Sequence, residues 1–449
     1  MAKRFGIRWF PLMVLGVLAV SLAACTDDGG GNGGTSTDEP VDSGTATPFT
    51  GTILTPEDIL EKDGSATNED EVVWGTMFEL SGGILQGFGE PTSDGVKLAV
   101  QEINDEGGFQ VGDTVYMIRL IEKDTRSDVA TTLAVTQELV RDDGVNVIFG
   151  PATLGEPQAT QITQPQKVIH ICPCQERETT ALETKELAQG DSHWAFQTLL
   201  PFSILIGNGA KLDLQNNPDT ETLALLCQNT ETGKDICSRT REAYEAIGVE
   251  VLAEEYFPAD TTDYSPFLTR IKNAGNPDYL FNFDDPLKQA SIVRQALELD
   301  VGGRHIASLP ANLIRDLVGR DITKPVAAGA APRQHVQPTS EKARLYFERY
   351  KAYKGGGDLP LAAFTSLLMY DYVYMLAAAM QQAGTVEDTT AIADAMETLH
   401  YNGVAEDDMF FNSRHLGVVG TDPCTVTQEP GQDVQISCEH NAPPPEAAN

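Results

Sequence analysis

From Val72 onward, strand signals and helix signals alternate strictly with only short connections between them, and this alternation most limits the folds open to the chain. Short apolar runs predict strands at Val72–Leu80, Val115–Glu122, Val145–Phe149 and Val168–Cys172. Between them, Asp94–Glu106, Asp128–Arg141 and Glu156–Gln166 read as helices; Val96, Ala99, Val100 and Ile103 fall on one helical face. The pattern resumes after residue 200, with strands at Thr222–Cys227, Glu250–Tyr256 and Tyr279–Phe283 and helices at Ile236–Ile247, Phe267–Asn273 and Leu287–Leu299. Alternation with short loops implies parallel sheets covered by helices on both faces. Its repetition implies an α/β chain of two doubly wound, parallel-sheet lobes. In open sheets of this kind, ligands sit off the carboxyl ends of the strands.

The N-terminus carries an address. Lys3, Arg4 and Arg8 precede the apolar run Trp9–Val20 and then Leu22-Ala23-Ala24-Cys25, which reads as a secretory signal over residues 1–24. The ending resembles a bacterial lipobox, in which Cys25 becomes the lipidated first residue; an ordinary signal peptide with a chance cysteine is the weaker alternative. Such a chain is anchored to a membrane without spanning it, and no later segment reads as the roughly 20 apolar residues that a span requires. Residues 25–71, mostly Gly, Thr, Ser, Asp and Pro, are expected to form a flexible tether, and residues 441–449 a disordered tail.

Charge and cysteines narrow the chemistry. The formal charge is −35, and loss of the signal takes the mature chain near −38, which argues against nucleic acid and polyanionic ligands. With Cys25 assigned to lipid, six cysteines remain, an even count that suggests disulfides in an exported protein. Cys424 and Cys438 are expected to pair, and Cys227 and Cys237 can do so. Cys172 and Cys174 stay open, because a bond between residues two apart is strained. His170, Cys172 and Cys174 share one strand face and can be weighed as a soft-metal site, but a lone strand supplies too few ligands. No metal or cofactor is expected. Nothing identifies a nucleophile with its base among the seven histidines, so no enzyme is expected either.

The stretch Ser81–Gly108, SGGILQGFGEPTSDGVKLAVQEINDEGG, is a glycine-rich loop leading into a helix, but Gly82, Gly83, Gly87 and Gly89 fit neither the dinucleotide fingerprint nor a P-loop. With its neighbours it resembles the start of the type I periplasmic solute-binding proteins, the branched-chain (Leu/Ile/Val) amino-acid-binding group of ABC importers. The matching residues are Ser81-Gly82, Gly95, Leu98-Ala99, Ile103-Asn104 and Gly107-Gly108, then Asp124, Ser127 and Asp128, then the strand ending in Phe149-Gly150-Pro151. The resemblance covers about residues 72–410. It implies three crossovers near residues 198–203, 328–336 and 400–406, giving one lobe of 72–200 with 335–402 and another of 201–334 with 403–440. It also implies a monomeric extracytoplasmic lipoprotein, on the periplasmic or cell-surface side, that hands a small solute to ABC permease subunits. A sensor of the same fold that signals to a membrane receptor is the alternative, and a metal-binding protein a weaker one.

The resemblance also nominates contacts. The glycines of the opening loop let the chain pass close to solute, and Phe88 offers an apolar face. Ala152, Thr153 and Gly155 would hold a carboxylate, although Thr153 with Glu156 also reads as a capping box. Cys174, Gln175 and Glu176 stand where relatives have small hydroxyl residues, which favours a polar or cationic solute over leucine, isoleucine or valine. In the second lobe Thr232 lies in the loop Asn229–Gly233, Asp284 is placed to take an ammonium, Asp285 before Pro286 reads as a helix cap, and Pro310 completes the cleft.

Overall fold

The computed structural model describes residues 51–82, 86–152, 155–173, 193–198, 214, 217–284, 286–307, 314, 318, 322–328, 331–332, 340–357, 359–360, 362–412, 415–418, 421–422, 424–428, 432–433 and 435–438. Order begins earlier than composition suggests. Thr55 and Asp58 form a reciprocal capping box, each side chain bonding the other's backbone N–H, and start helix α1 (Pro56–Leu60), which buries Ile59. Residues 51–71 are therefore structured, contrary to the tether expected up to residue 71. A local cap and one apolar anchor outweigh an unpromising average composition.

Strand β1 (Asn68–Phe78) is followed by α2 (Gln86–Asp105), β2 (Phe109–Val111), β3 (Thr114–Asp124), α3 (Val129–Arg141) and β4 (Val147–Phe149). Then come α4 (Glu156–Thr163), β5 (Ile169–Cys172) and β6 (Ala195–Gln197). These strands form one sheet in the order β2-β3-β1-β4-β5-β6, parallel throughout except for β2 at the edge. Apolar residues on both faces of β4 and β5 agree with helices packed on both sides.

A second sheet repeats the plan with β7 (Thr222–Gln228), α5 (Glu231–Glu245), β8 (Glu250–Phe257), α6 (Ser265–Ala274), β9 (Tyr279–Phe283), α7 (Pro286–Glu298), β10 (Arg304–Ala307) and β11 (Val326–Ala328). After β12 (Ala331–Pro332) come α8 (Glu341–Tyr353), α9 (Ala363–Ala383) and α10 (Thr389–Met396). Short strands β13 (Phe410–Phe411), β14 (Gly417–Val418), β15 (Thr421–Asp422), β16 (Cys424–Thr427) and β17 (Gln435–Cys438) follow. The second sheet runs β17-β16-β11-β10-β9-β7-β8, its last two strands added antiparallel beyond β11. The chain thus crosses between sheets three times, after β6, after β11 and after β14; β12 and β15, on two of these crossings, pair with each other.

Helix α9 is the spine of the first core. Its 21 residues are long and apolar enough to cross a membrane by length and composition, a segment overlooked in the sequence, yet nearly all of it is buried inside the protein. It lies against α2, where a Cβ on Gly95 would stand 2.2 Å from the Ser366 carbonyl oxygen, so the two backbones meet there. Val404, Ala405, Met409 and Phe411 pack into this same core, and Leu416 bridges to Gln197. The segment 403–418 therefore goes with the first sheet, whereas the expectation put 403–440 in the second lobe with a crossing near 400–406.

What holds that segment is Asp371 of α9, fully buried, whose two carboxylate oxygens accept the N–H groups of Val404 (2.9 Å) and Ala405 (2.7 Å). Burial pushes this carboxyl up to about 7, although both amides pull the other way. Folding then takes up a proton between about pH 4 and 7, so this group's contribution to stability falls as pH rises through that window. Asp371→Asn can satisfy only one of the two amides, an expected loss of about 1–3 kcal/mol. The loss is expected to shrink from pH 5 to pH 8 in thermal melts, because the wild type alone loses stability there; a pH-independent difference would contradict this account.

Candidate functional site

Both sheets reverse their strand order at one point, between β1 and β4 in the first and between β7 and β9 in the second. Loops diverge at such a switch point and leave a crevice off the strand carboxyl ends. Chain direction alone therefore nominates the loops after β1, β4, β7 and β9.

In the first lobe those loops are stitched to one another. Asp124, the last residue of β3, accepts N–H groups from Leu80, Ser81 and Arg126, and the Ser81 hydroxyl donates to its other oxygen at 2.6 Å. Burial pushes the Asp124 carboxyl up, but the bonds from Ser81, Arg126 and Leu80 outweigh it and hold it below the usual carboxylate range. Ser127 donates back to the Ser81 carbonyl, and Asp128 caps α3 through Thr131. The Asp124, Ser127 and Asp128 motif is thus spent on holding the loop's shape.

The opening glycines have the same explanation. Gly82 takes a φ of +96°, and a Cβ there would stand 2.1 Å from the Arg126 carbonyl oxygen. At Gly89 a Cβ would stand 2.3 Å from the Glu79 carbonyl oxygen. Their close neighbours are this chain's own backbone, where a ligand was expected. Because Gly89 must sit against β1, α2 starts at Gln86 instead of near Asp94, with Pro91 inside it. Phe88 is accordingly half-buried in the first turn of that helix, not on a free loop.

The other wall is the loop after β4. Ala152, 7 % exposed, donates its N–H to Glu79 Oε2 at 3.0 Å, and Glu79 is itself fully buried. One of the amides expected to clamp a solute carboxylate is thus already paired. Gly155, at φ +86°, is the N-cap of α4 and has no side-chain cap, so Glu156 is the first helical residue and a Thr153–Glu156 capping box is out of register. Thr153 itself lies outside the described residues, as do Cys174, Gln175, Glu176, Asp285 and Pro310. His170 supports the loop from β5: its Nε2–H donates to the Gly150 carbonyl and its Nδ1 faces the Thr163 hydroxyl at 3.3 Å. Burial pushes His170 down to about 4, so it stays neutral. Both its nitrogens are occupied and Cys172 is disulfide-bonded, which removes the soft-metal reading of this strand.

In the second lobe a disulfide joins Cys227, near the end of β7, to Cys237 in α5 (S–S 1.98 Å), beneath the loop that the sequence reading singled out. Thr230 caps α5 by accepting the Gly233 N–H, and Thr232 lies in that helix's first turn. Asp284 does follow β9, but its carboxylate is 6 % exposed and 3.5 Å from Lys288 Nζ, so a cation of the chain already faces it.

Glu79 and His170 are the residues whose role sequence reasoning missed. A clue existed for Glu79, an acid at the carboxyl end of an otherwise apolar strand run, where a free charge would be costly. Replacing it by Leu should leave the buried Ala152 N–H unpaired and cost about 1–3 kcal/mol. Glu79→Gln, which keeps an acceptor oxygen, should recover most of that in denaturant melts; equal losses from both substitutions would rule out the amide as Glu79's main task.

Comparison with known proteins agrees with this geometry. Residues 75–428 match the family model described as periplasmic binding protein. The Leu/Ile/Val-binding protein homolog 8 of Brucella abortus (strain 2308) is 20 % identical over 212 residues, 46 % of this chain and 50 % of that protein; the chain thus matches about half the length of such curated relatives. The branched-chain amino acid transporter substrate-binding protein LivJ of Streptococcus pneumoniae, solved with isoleucine, superposes with a TM-score of 0.63 at 22 % identity, covering 82 % of this chain and 100 % of that one. A solute-binding protein of an ABC transporter from R. palustris, solved with 4-hydroxybenzoate, gives 0.66 at 18 % identity, covering 83 % and 98 %. At these identities the structural likeness concerns the fold. The chain belongs to the periplasmic binding protein family.

Proposed function

We propose that the protein is an exported lipoprotein, lipidated on Cys25, that captures a small polar solute between two lobes and delivers it to the permease of an ABC importer without chemical change. The lobes would comprise 51–200 with 335–418, and 201–334 with 424–440, hinged on the three crossings. Solute bridging both lobes favours the closed state, because only that state makes both sets of contacts. The observation that carries this reading is the pair of switch points, one in each sheet, whose loops are pre-stitched by Asp124 and by the Cys227–Cys237 bond.

The proposed solute is an amino acid or related amide that brings extra donors or a cation. Glu79 has taken one clamp amide, and Glu176 adds a carboxylate four residues beyond β5, while Asp284 is already met by Lys288. A buried carboxylate facing a ligand carboxylate unpaired would cost several kcal/mol. Calorimetric titration with arginine, an aliphatic amide, leucine and 4-hydroxybenzoate tests this. A cationic or amide solute is expected to bind at least tenfold more tightly than leucine. Tight leucine binding would sink the specificity, and silence across a wide solute panel with an intact fold would sink the binding reading itself. Cys25→Ala is expected to abolish incorporation of labelled palmitate.

A disulfide between Cys424 and Cys438 is proposed on their position directly opposite each other in the β16–β17 ladder. The chain-entropy model gives such a loop about 3 kcal/mol. Peptide mapping without reduction should recover the joined pair; free thiols at both positions would refute it.

A further inference from the structure

Two histidines and a glutamate, brought together from distant parts of the chain, meet at the amino end of β6, on the edge of the first sheet opposite its solute loops. His193 stands just before that strand. Glu397 caps the carboxyl end of α10. His415 sits in the turn between β13 and β14, at an unusual φ of +54° and 1 % exposed. Their donor atoms lie within 4.8 Å of one another.

We propose that His193, Glu397 and His415 bind one zinc-class divalent metal ion. The second nitrogen of the His415 ring is held by a hydrogen bond. His415 Nδ1–H donates to the Ala195 carbonyl at 3.0 Å, which leaves the Nε2 lone pair aimed at Glu397 Oε1, 2.8 Å away. A lone pair facing a carboxylate oxygen repels it unless a proton or a metal ion lies between them. Asp394 Oδ1, one helical turn before Glu397, stands 3.1 Å from His193 Nε2, and His193 Nδ1 faces the same Glu397 oxygen at 3.5 Å. Carboxylate or carbonyl acceptors on the far nitrogen are what orient metal-binding imidazoles. Ligands about 2.0–2.1 Å from a tetrahedral centre stand roughly 3.3 Å apart, between the 2.8 and 3.5 Å seen here. Phe196 stacks on His415 (4.3 Å between centroids, 3° between planes) and holds the ring in place. Glu397 and His193 reach solvent, so a fourth position is open to water.

The ion's task is structural. It ties the end of α10 and the 412–416 turn to the edge strand just before the chain leaves this lobe at residues 198 and 418. Titrating the untagged full-length protein with Zn2+ alone should show one ion per chain and a higher melting temperature, and Co2+ should give the intense visible bands of a tetrahedral site. His415 is too buried for a clean substitution, so His193→Ala and Glu397→Gln are the tests. Each should weaken Zn2+ binding more than ~100-fold and abolish the Co2+ bands in a protein that still melts cooperatively without metal. A Zn2+-dependent shift of equal size in wild type and both variants overturns the proposal, as does the absence of any shift in the wild type.

Discussion

Backbone pressed on backbone at the carboxyl end of β1 is the constraint from which the first lobe's loops follow. Residues 79–82 must pass beneath both the start of α2 and the turn after β3, with carbonyl oxygens only just over 2 Å from where side chains at Gly82 and Gly89 would begin. Nothing larger than hydrogen fits at either position. The loop draws its rigidity from Asp124, which gathers three backbone amides and the Ser81 hydroxyl at one carboxylate. Local structure, packing and site thus share one cause: the chain runs close to itself, and polar groups from the neighbouring strand end fix where it goes.

The parallel architecture was legible because burial on both faces leaves short apolar strands between amphipathic helices, a pattern set within each segment. Less legible was anything set between segments. Helix α2 begins eight residues before the expected Asp94, since packing of Gly89 on β1 overrides the poor helix propensity of Gly87, Gly89 and Pro91. The segment around Val404 goes with the first core because Asp371, more than thirty residues upstream, binds its amides. Among the site residues nominated by the family resemblance, Ala152, Gly155, Thr232 and Asp284 do fall at strand carboxyl ends. Their partners, Glu79 and Lys288, were invisible because they are contacts between side chains and loops, not positions along the chain. The His193, Glu397 and His415 cluster was invisible for the same reason, His193 lying some two hundred residues before the other two.

Buried histidines and a buried aspartate work in opposite senses. His170 and His305 are pushed down to about 4 by burial, so between that value and their ordinary pKa near 6.5 the unfolded chain binds more protons, and they lose stabilising power as pH falls. Asp371, pushed up to about 7, loses it as pH rises through nearly the same window. The contributions offset, which leaves the fold less sensitive to mild acid than any one of these groups would suggest.

The two lobes solve one loop problem by different chemistry. Each must present the start of a helix beside the carboxyl end of a strand. The first lobe does so with glycine contact and the Asp124 carboxylate; the second uses the Cys227–Cys237 bond, a side-chain cap at Thr230 and the tight turn after β7. A covalent staple is available only where thiols oxidise, so the second solution depends on an oxidising setting. Loops shaped before solute arrives lose little conformational freedom on binding, so more of the contact energy remains as affinity.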